Sequence, residues 1–363
     1  MKLLVKDYLN VRVGAPNVNA PSYQYLAPGS EIEVDGRLYD GGEFENIATW
    51  YRDAANNYYW SGGFANTKPI IPREFDPAKM SWGHERYNLP FIWSKLKTMG
   101  EGITVAVIDT GIDILHQDLA TKLHRLSKSF VSDAKDIKDI DGHGTNMAGI
   151  IGASGRNKVF GVAPGVELLI LRASEHQRGA NVKLFAKALD HAAGIDAVDI
   201  ISVSTTLPDD PDLKTAVDKC HANGKTVVAA IGNNRDINLP MGPDVDTFPA
   251  CYEKVLAVGA FDLSGHLVSY SNWNRQLDFL APGASVLTAA LNDGRNQENG
   301  TSMATAFTAG CLALMFAYAK GKTTRDKCIE AILSTCDDIG PTLGPDIRTG
   351  RGLLNLRNAI TKL

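Results

Sequence analysis

Four residues in this chain have the types and setting to open an amide bond between them. The stretch from Asn299 to Gly310, NGTSMATAFTAG, delivers one hydroxyl, Ser302, ahead of a run that is apolar almost all round: Met303, Ala304, Ala306, Phe307, Ala309, Leu312, Leu314 and Met315. Such a run reads as a buried helix. Its first turn carries unsatisfied N–H groups and the positive end of the helix dipole, which favour an alkoxide. A serine there is ordinarily a plain N-cap, so nucleophilic chemistry requires partners. His143 stands between two glycines in DGHGTNMAG, Asp109 ends the apolar run of VAVIDTGID, and Asn233 ends VVAAIGNN. Asp109 can orient His143, His143 can take the proton from Ser302, and the buried carboxylate then stabilises the imidazolium. The Asn233 amide can donate to the oxyanion of a tetrahedral intermediate.

Those side chains need a frame that brings distant segments together. Ile103 to Ile108, Val166 to Leu171, Val198 to Ser204 and Thr226 to Ile231 are runs of buried-strand type. Helical stretches occupy His143 to Ile151, Val182 to Ala193 and Leu213 to Asn223, after an irregular entry at Trp82 to Met99 with a short helix near Pro90 to Leu96. This alternation predicts an α/β domain, a parallel sheet flanked by helices, with functional groups at the carboxyl ends of its strands.

DTGID, HGT, GN and GTSMA together resemble the subtilisin-like serine peptidases, the subtilase family. Asp, His and Ser follow in the family's order with separations of 34 and 159 residues, and the resemblance runs from about Trp82 to Asn355. It takes in GVAP at Gly161, FPA at Phe248, DFLAPG at Asp278 and the closing RTGRGLLNLRNAI. The resemblance implies a subtilisin-like fold and serine endopeptidase hydrolysis through an acyl-enzyme, with no cofactor. Asp109, His143 and Ser302 would form the triad, and Asn233 with the Ser302 N–H would hold the oxyanion. A protein or peptide substrate would lie as an added strand along Gly179, Ala180 and Asn181 and along Ser202, Ser204, Thr205 and Thr206, with Gly232 and Thr301 beside it.

Departures from the family pattern carry their own expectations. Where relatives read SLGG and then a proline, this chain reads Ser204, Thr205, Thr206, Leu207, Pro208, which predicts a restricted pocket for the residue before the cleaved bond. Asp118 matches a residue that binds structural calcium in many relatives. Its partner loop is shortened to Ser154 through Lys158 and carries two cations, which oppose a divalent ion. No metal is expected, and Asp118 is the one calcium candidate. Ala306 replaces the proline of SMATP, which raises transpeptidation or ligation as an alternative on the same site.

Residues 1–66 have a different character, with short alternating runs (Leu9, Val11, Val13; Ile32, Val34) between Gly and Pro turns. They predict a small antiparallel barrel. YLNVRVGAP, LAPGSEIEV, WYRD and YYWSGGF resemble a bacterial SH3-like domain. Its aromatics (Tyr8, Tyr23, Tyr25, Tyr39, Trp50, Tyr51, Tyr58, Tyr59, Trp60) either fill the core or line a groove for peptide, glycan or the peptidase domain itself. A linker at 67–80 and a peptidase domain at 81–363 complete the expected organisation. A competing class is a binding or scaffold protein that works through the first domain.

With 37 basic and 41 acidic residues, net charge −4, and no basic stripe, nucleic acid is not an expected partner. No membrane span is expected either. The five cysteines are scattered without metal-like pairs, which favours a reducing compartment. Lys6 and Asp7 interrupt the first apolar residues, so the chain is expected in the cytoplasm if Met1 is the native start, and secreted or in the cell envelope if a signal was removed.

Overall fold

A computed structural model describes residues 2–6, 9–27, 30–44, 47–65, 75–131, 136–176, 179–233, 246–341 and 343–363. The chain divides into two compact units, Met1–Phe75 and Asp76–Leu363. Most of the expected linker, residues 67–74, lies outside the described residues, as do Tyr8 and the side chains of Tyr23 and Tyr25.

In the first unit β4 (Glu31–Glu33), β1 (Lys2–Val5) and β8 (Phe64–Ala65) make one antiparallel sheet. A second contains β3 (Ser22–Leu26), β2 (Leu9–Val13), β7 (Asn57–Trp60), β6 (Ile47–Arg52) and β5 (Tyr39–Phe44) in that order. Alternation in β1 turns Leu3 and Val5 inward to join Leu9, Val11, Val34, Tyr51, Tyr59 and Phe64 in one core. Trp50, Tyr51, Tyr58 and Tyr59 are buried, so these aromatics stabilise a unit too small to do without them. Tyr39 is only half-buried; the Arg52 guanidinium lies 4.5 Å from its ring centre.

The second unit is built on a seven-stranded parallel sheet in the order β10 (Lys128–Ser129), β11 (Glu167–Arg172), β9 (Thr104–Asp109), β12 (Val198–Val203), β13 (Thr226–Ala230), β14 (Leu256–Phe261), β15 (Phe279–Pro282). All six residues of β9, and all six of β12, are buried, as their unbroken apolar character requires in a sheet covered on both faces. On one face lie α4 (Val182–Ala193) and α5 (Pro211–Ala222), whose Phe185, Leu189, Leu213 and Val217 join the core cluster. On the other lie α3 (His143–Gly152) and α6 (Thr301–Ala319), which pack against each other and the sheet. α1 (Trp82–Tyr87) and α2 (Leu89–Leu96) lead into the sheet, the hairpin of β16 (Val286–Ala290) and β17 (Gly294–Glu298) leads into α6, and α7 (Arg325–Ser334) and α8 (Leu356–Thr361) close the chain.

From Thr301 to Phe316 every residue of α6 is buried. The helix is long and apolar enough to cross a membrane, but it lies buried inside this unit as a core element. The chain runs from β9 outward to β11 on one side and then crosses to β12 on the other. The carboxyl ends of β9 and β12 therefore flank a reversal of strand order, the place where open parallel sheets form a crevice.

Candidate active site

Asp109 is the last residue of β9, 4% exposed, and its Oδ1 accepts hydrogen bonds from the Thr110 N–H (2.7 Å) and His143 Nδ1 (2.8 Å). His143 opens α3 and reaches Asp109 because Gly144 lies against the turn after β9. A Cβ on Gly144 would stand 2.2 Å from the Gly111 carbonyl oxygen, so only glycine allows this approach. Burial disfavours a charged His143, yet the Asp109 charge and hydrogen bond, with Asp141 and Asp139 nearby, outweigh it and raise the imidazole pKa. With Nδ1–H donated to Asp109, the buried Nε2 is left as an acceptor, and it has no hydrogen-bond partner.

A second carboxylate, not singled out by sequence reasoning, organises this corner. Asp139 is buried and accepts from the Thr110 hydroxyl (2.9 Å), the N–H groups of Asp141 (3.0 Å), Gly142 (2.9 Å) and Thr145 (2.9 Å), and the Thr145 hydroxyl (2.7 Å). Burial would raise its pKa, but these donors lower it. Thr110 Oγ1 in turn accepts the Gly144 N–H at 2.8 Å, so one carboxylate ties the turn after β9 to the first turn of α3.

Ser302 is the second residue of α6 and 3% exposed. It is not an N-cap: that position belongs to Gly300, at φ 149°, where the chain turns into the helix. Ser302 Oγ donates to the Ser204 carbonyl (2.9 Å), and Ser204 Oγ donates back to the Ser302 carbonyl (3.1 Å). The structure thus forms the Asp109–His143 link and holds the serine hydroxyl against the end of β12 rather than on His143 Nε2. The Ser302 N–H has no acceptor among the described residues.

Asn233 follows β13. Its Oδ1 accepts from the Thr301 N–H (2.8 Å) and hydroxyl (2.9 Å), which caps α6 and fixes the amide so that Nδ2 is its free end. A Cβ on Gly300 would lie 3.2 Å from that Nδ2, so glycine keeps the space before the donor open.

The expected substrate contacts divide into two groups. Ser204, Thr205 and Thr206 lie beyond the end of β12, and Gly179 and Ala180 precede α4, all with backbone outside the ladders. Asn181 spends its side chain capping α4 through the Lys183 N–H at 2.9 Å. Ser202 is a correction: it lies within β12, registered with Val228 on one side and Val107 on the other, so its backbone has no edge to offer. Thr301 and Gly232 are hydrogen-bonded to each other. Thr301 is fully buried beneath Asn233, and Gly232 donates to the Thr301 hydroxyl (3.2 Å) while accepting the Asn272 N–H (2.8 Å). Leu207 is 5% exposed within the core cluster and exchanges backbone hydrogen bonds with Phe248, so its side chain does not narrow any pocket. Thr206 lies over Gly232, its Cγ2 3.1 Å from where a side chain on Gly232 would begin.

Asp118 does not fit a divalent cation. It is fully buried and its carboxylate accepts from Ser154 Oγ (2.9 Å) and the N–H groups of Asn157 (2.8 Å), Lys158 (2.7 Å) and Val159 (3.1 Å). Four donors with their positive ends turned inward fill the lone pairs that a calcium ion would need. Among the described residues no three His, Cys, Asp or Glu side chains converge as a metal site.

The profile of the subtilase family of peptidases matches residues 100–352. This chain belongs to the subtilase family. An intracellular serine protease of Paenibacillus polymyxa is 35% identical over 265 residues, covering 71% of this chain and 79% of the relative. The major intracellular serine protease of Bacillus subtilis (strain 168) is 37% identical over 259 residues, covering 69% and 80%. Among solved structures, that of the prenylagaramide maturation protease PagA superposes with a TM-score of 0.65 at 30% identity, over 76% of this chain and 98% of the other. This subtilase has the subtilisin-like fold and is a serine endopeptidase, a hydrolase whose substrates are proteins or peptides.

Proposed function

We propose that Ser302 attacks the scissile carbonyl, with His143 as base and then acid, Asp109 holding the imidazole, and Asn233 Nδ2 with the Ser302 N–H stabilising the oxyanion. The carrying observation is the Asp109–His143 hydrogen bond of 2.8 Å, which leaves a buried Nε2 with no hydrogen-bond partner among the described residues, on a helix that packs against the one carrying Ser302. For reaction the Ser302 hydroxyl leaves the Ser204 carbonyl and turns to Nε2. Substrate main chain lies along Ser204 to Thr206 and Gly179 to Ala180 as an added strand. Thr206 restricts the pocket for the residue before the cleaved bond, and small side chains fit it best. Water is the second reactant at the acyl-enzyme; products carrying an added amine would instead assign ligation.

The names of two relatives support an intracellular setting for this enzyme. The first unit recruits substrate through the half-exposed faces of Tyr39 and Arg52, which stack on each other and share Asp35, in the manner of an SH3-like module. A fluorophosphonate probe tests the central reading. It labels the wild type, and labelling is lost in Ser302→Ala and in His143→Ala. An unlabelled wild type, or a labelled Ser302→Ala variant, would refute the assignment and leave a binding protein in its place.

A further inference from the structure

Three segments that follow or precede the triad residues meet at one point. The loop 113–118 follows Asp109, the loop 154–159 follows the helix that His143 opens, and the tip of the β16–β17 hairpin at Asp293 precedes Ser302. Asp293 is their common point. Its Oδ1 accepts the Gln117 N–H (3.0 Å), and its Oδ2 accepts Gln117 Nε2 (3.0 Å), Asn157 Nδ2 (3.4 Å) and the Lys158 ammonium (3.0 Å). Lys158 Nζ also donates to the Asp293 carbonyl, and the Asp293 N–H donates to Asp113 Oδ2 at 3.0 Å. His116 Nδ1 lies 3.2 Å from the Asp118 N and 3.8 Å from Asp293 Oδ1, and its Nε2 lies 2.8 Å from the Gly294 carbonyl oxygen. Lys158 is the ammonium bonded directly to the Asp293 carboxylate at this junction, and Arg295 donates to the Lys158 carbonyl (3.3 Å).

We propose that Lys158 takes the place of a structural metal in this subtilase. Its ammonium joins the loop after α3 to the hairpin before Ser302, while the peptide N–H groups of the same loop saturate Asp118. A divalent ion would join such segments by gathering six to eight oxygen ligands. Here the same loop supplies N–H donors and a fixed positive charge, and both repel calcium. The fold, and through it the alignment of three triad-bearing segments, is consequently independent of calcium.

The test uses the full chain and reads thermal unfolding and bound metal, neither of which depends on turnover. Wild-type Tm is the same within about 1 °C in millimolar EDTA and in millimolar calcium chloride, because no bound ion shifts the equilibrium. Elemental analysis after gel filtration finds no stoichiometric calcium. Lys158→Met lowers Tm by roughly 2–4 °C, the shift for losing a partly exposed ion pair in a unit of this size, and Lys158→Arg recovers most of that loss. A methionine variant that yields no folded protein beside a folded arginine variant supports the same reading. A rise of wild-type Tm by several degrees in calcium, one calcium per chain, or a Lys158→Met variant with unchanged Tm overturns it.

Discussion

Replacing Asp109 by asparagine separates charge from geometry at the triad. Asp109 Oδ1 alone accepts both the Thr110 N–H (2.7 Å) and His143 Nδ1 (2.8 Å). An asparagine whose oxygen keeps the Thr110 bond therefore also keeps the imidazole in its tautomer, and the loss is that of one negative charge. Opposite charges centred about 4 Å apart attract by about 4 kcal/mol at an effective dielectric constant near 20. That attraction is absent from the ground state, where His143 is neutral, and present in the transition state, where it is imidazolium. The expected fall in kcat/KM is roughly 1,000-fold, approaching ~10,000-fold if the amide turns and inverts the tautomer. The pH profile gives the sign. Burial lowers the His143 pKa and Asp109 raises it, with the raised direction prevailing. Without the charge, burial dominates, the pKa falls, and the free base persists to lower pH. The acid limb of kcat/KM moves toward acid while circular dichroism and Tm stay close to wild type. A loss below about tenfold, with the acid limb unmoved, would refute the electrostatic role assigned to Asp109.

Two further substitutions probe the groups around the scissile carbonyl. Asn233→Leu removes the oxyanion donor and lowers kcat by roughly 100- to 1,000-fold with little change in KM, a range that comes from subtilisin itself rather than from this geometry; steady-state kinetics showing a KM effect alone would place Asn233 in ground-state binding. Thr206→Gly clears the space above Gly232, and profiling on a peptide library should show bulky residues before the cleaved bond gaining relative to alanine; an unchanged preference would mean that another wall sets the pocket.

The frame of this site was legible in the sequence because buried parallel strands are written as unbroken apolar runs. Asp109 is readable as the residue where such a run stops, and α4 as a periodic stretch between two of them. Side-chain direction past a strand end is not written that way. Thr206 and Leu207 together were expected to restrict the pocket, but the chain bends into a bridge with Phe248 and turns Leu207 into the core. Ser202 was expected at an edge, but whether a strand is central depends on the order of strands, which no local pattern encodes. Asp139 was opaque because most of its partners are backbone N–H groups, which are independent of residue type. The aromatics of the first unit show the limit of composition, since Trp50, Tyr51, Tyr58 and Tyr59 serve as core where the same residues exposed would serve as a binding surface.

The unbroken burial of α6 from Thr301 to Phe316 has a bearing on how this enzyme loses activity. A helix with no solvent-facing stripe cannot fray along its length or swing out as a separate cooperative unit, because each turn is held from all sides. The interior turns of α6, beyond the open amides of its first turn, are expected to exchange their amide protons late, close to the global unfolding limit of this unit. The helix that carries Ser302 is for the same reason a poor substrate for a second copy of the enzyme, since cleavage needs an extended segment that this buried helix does not offer.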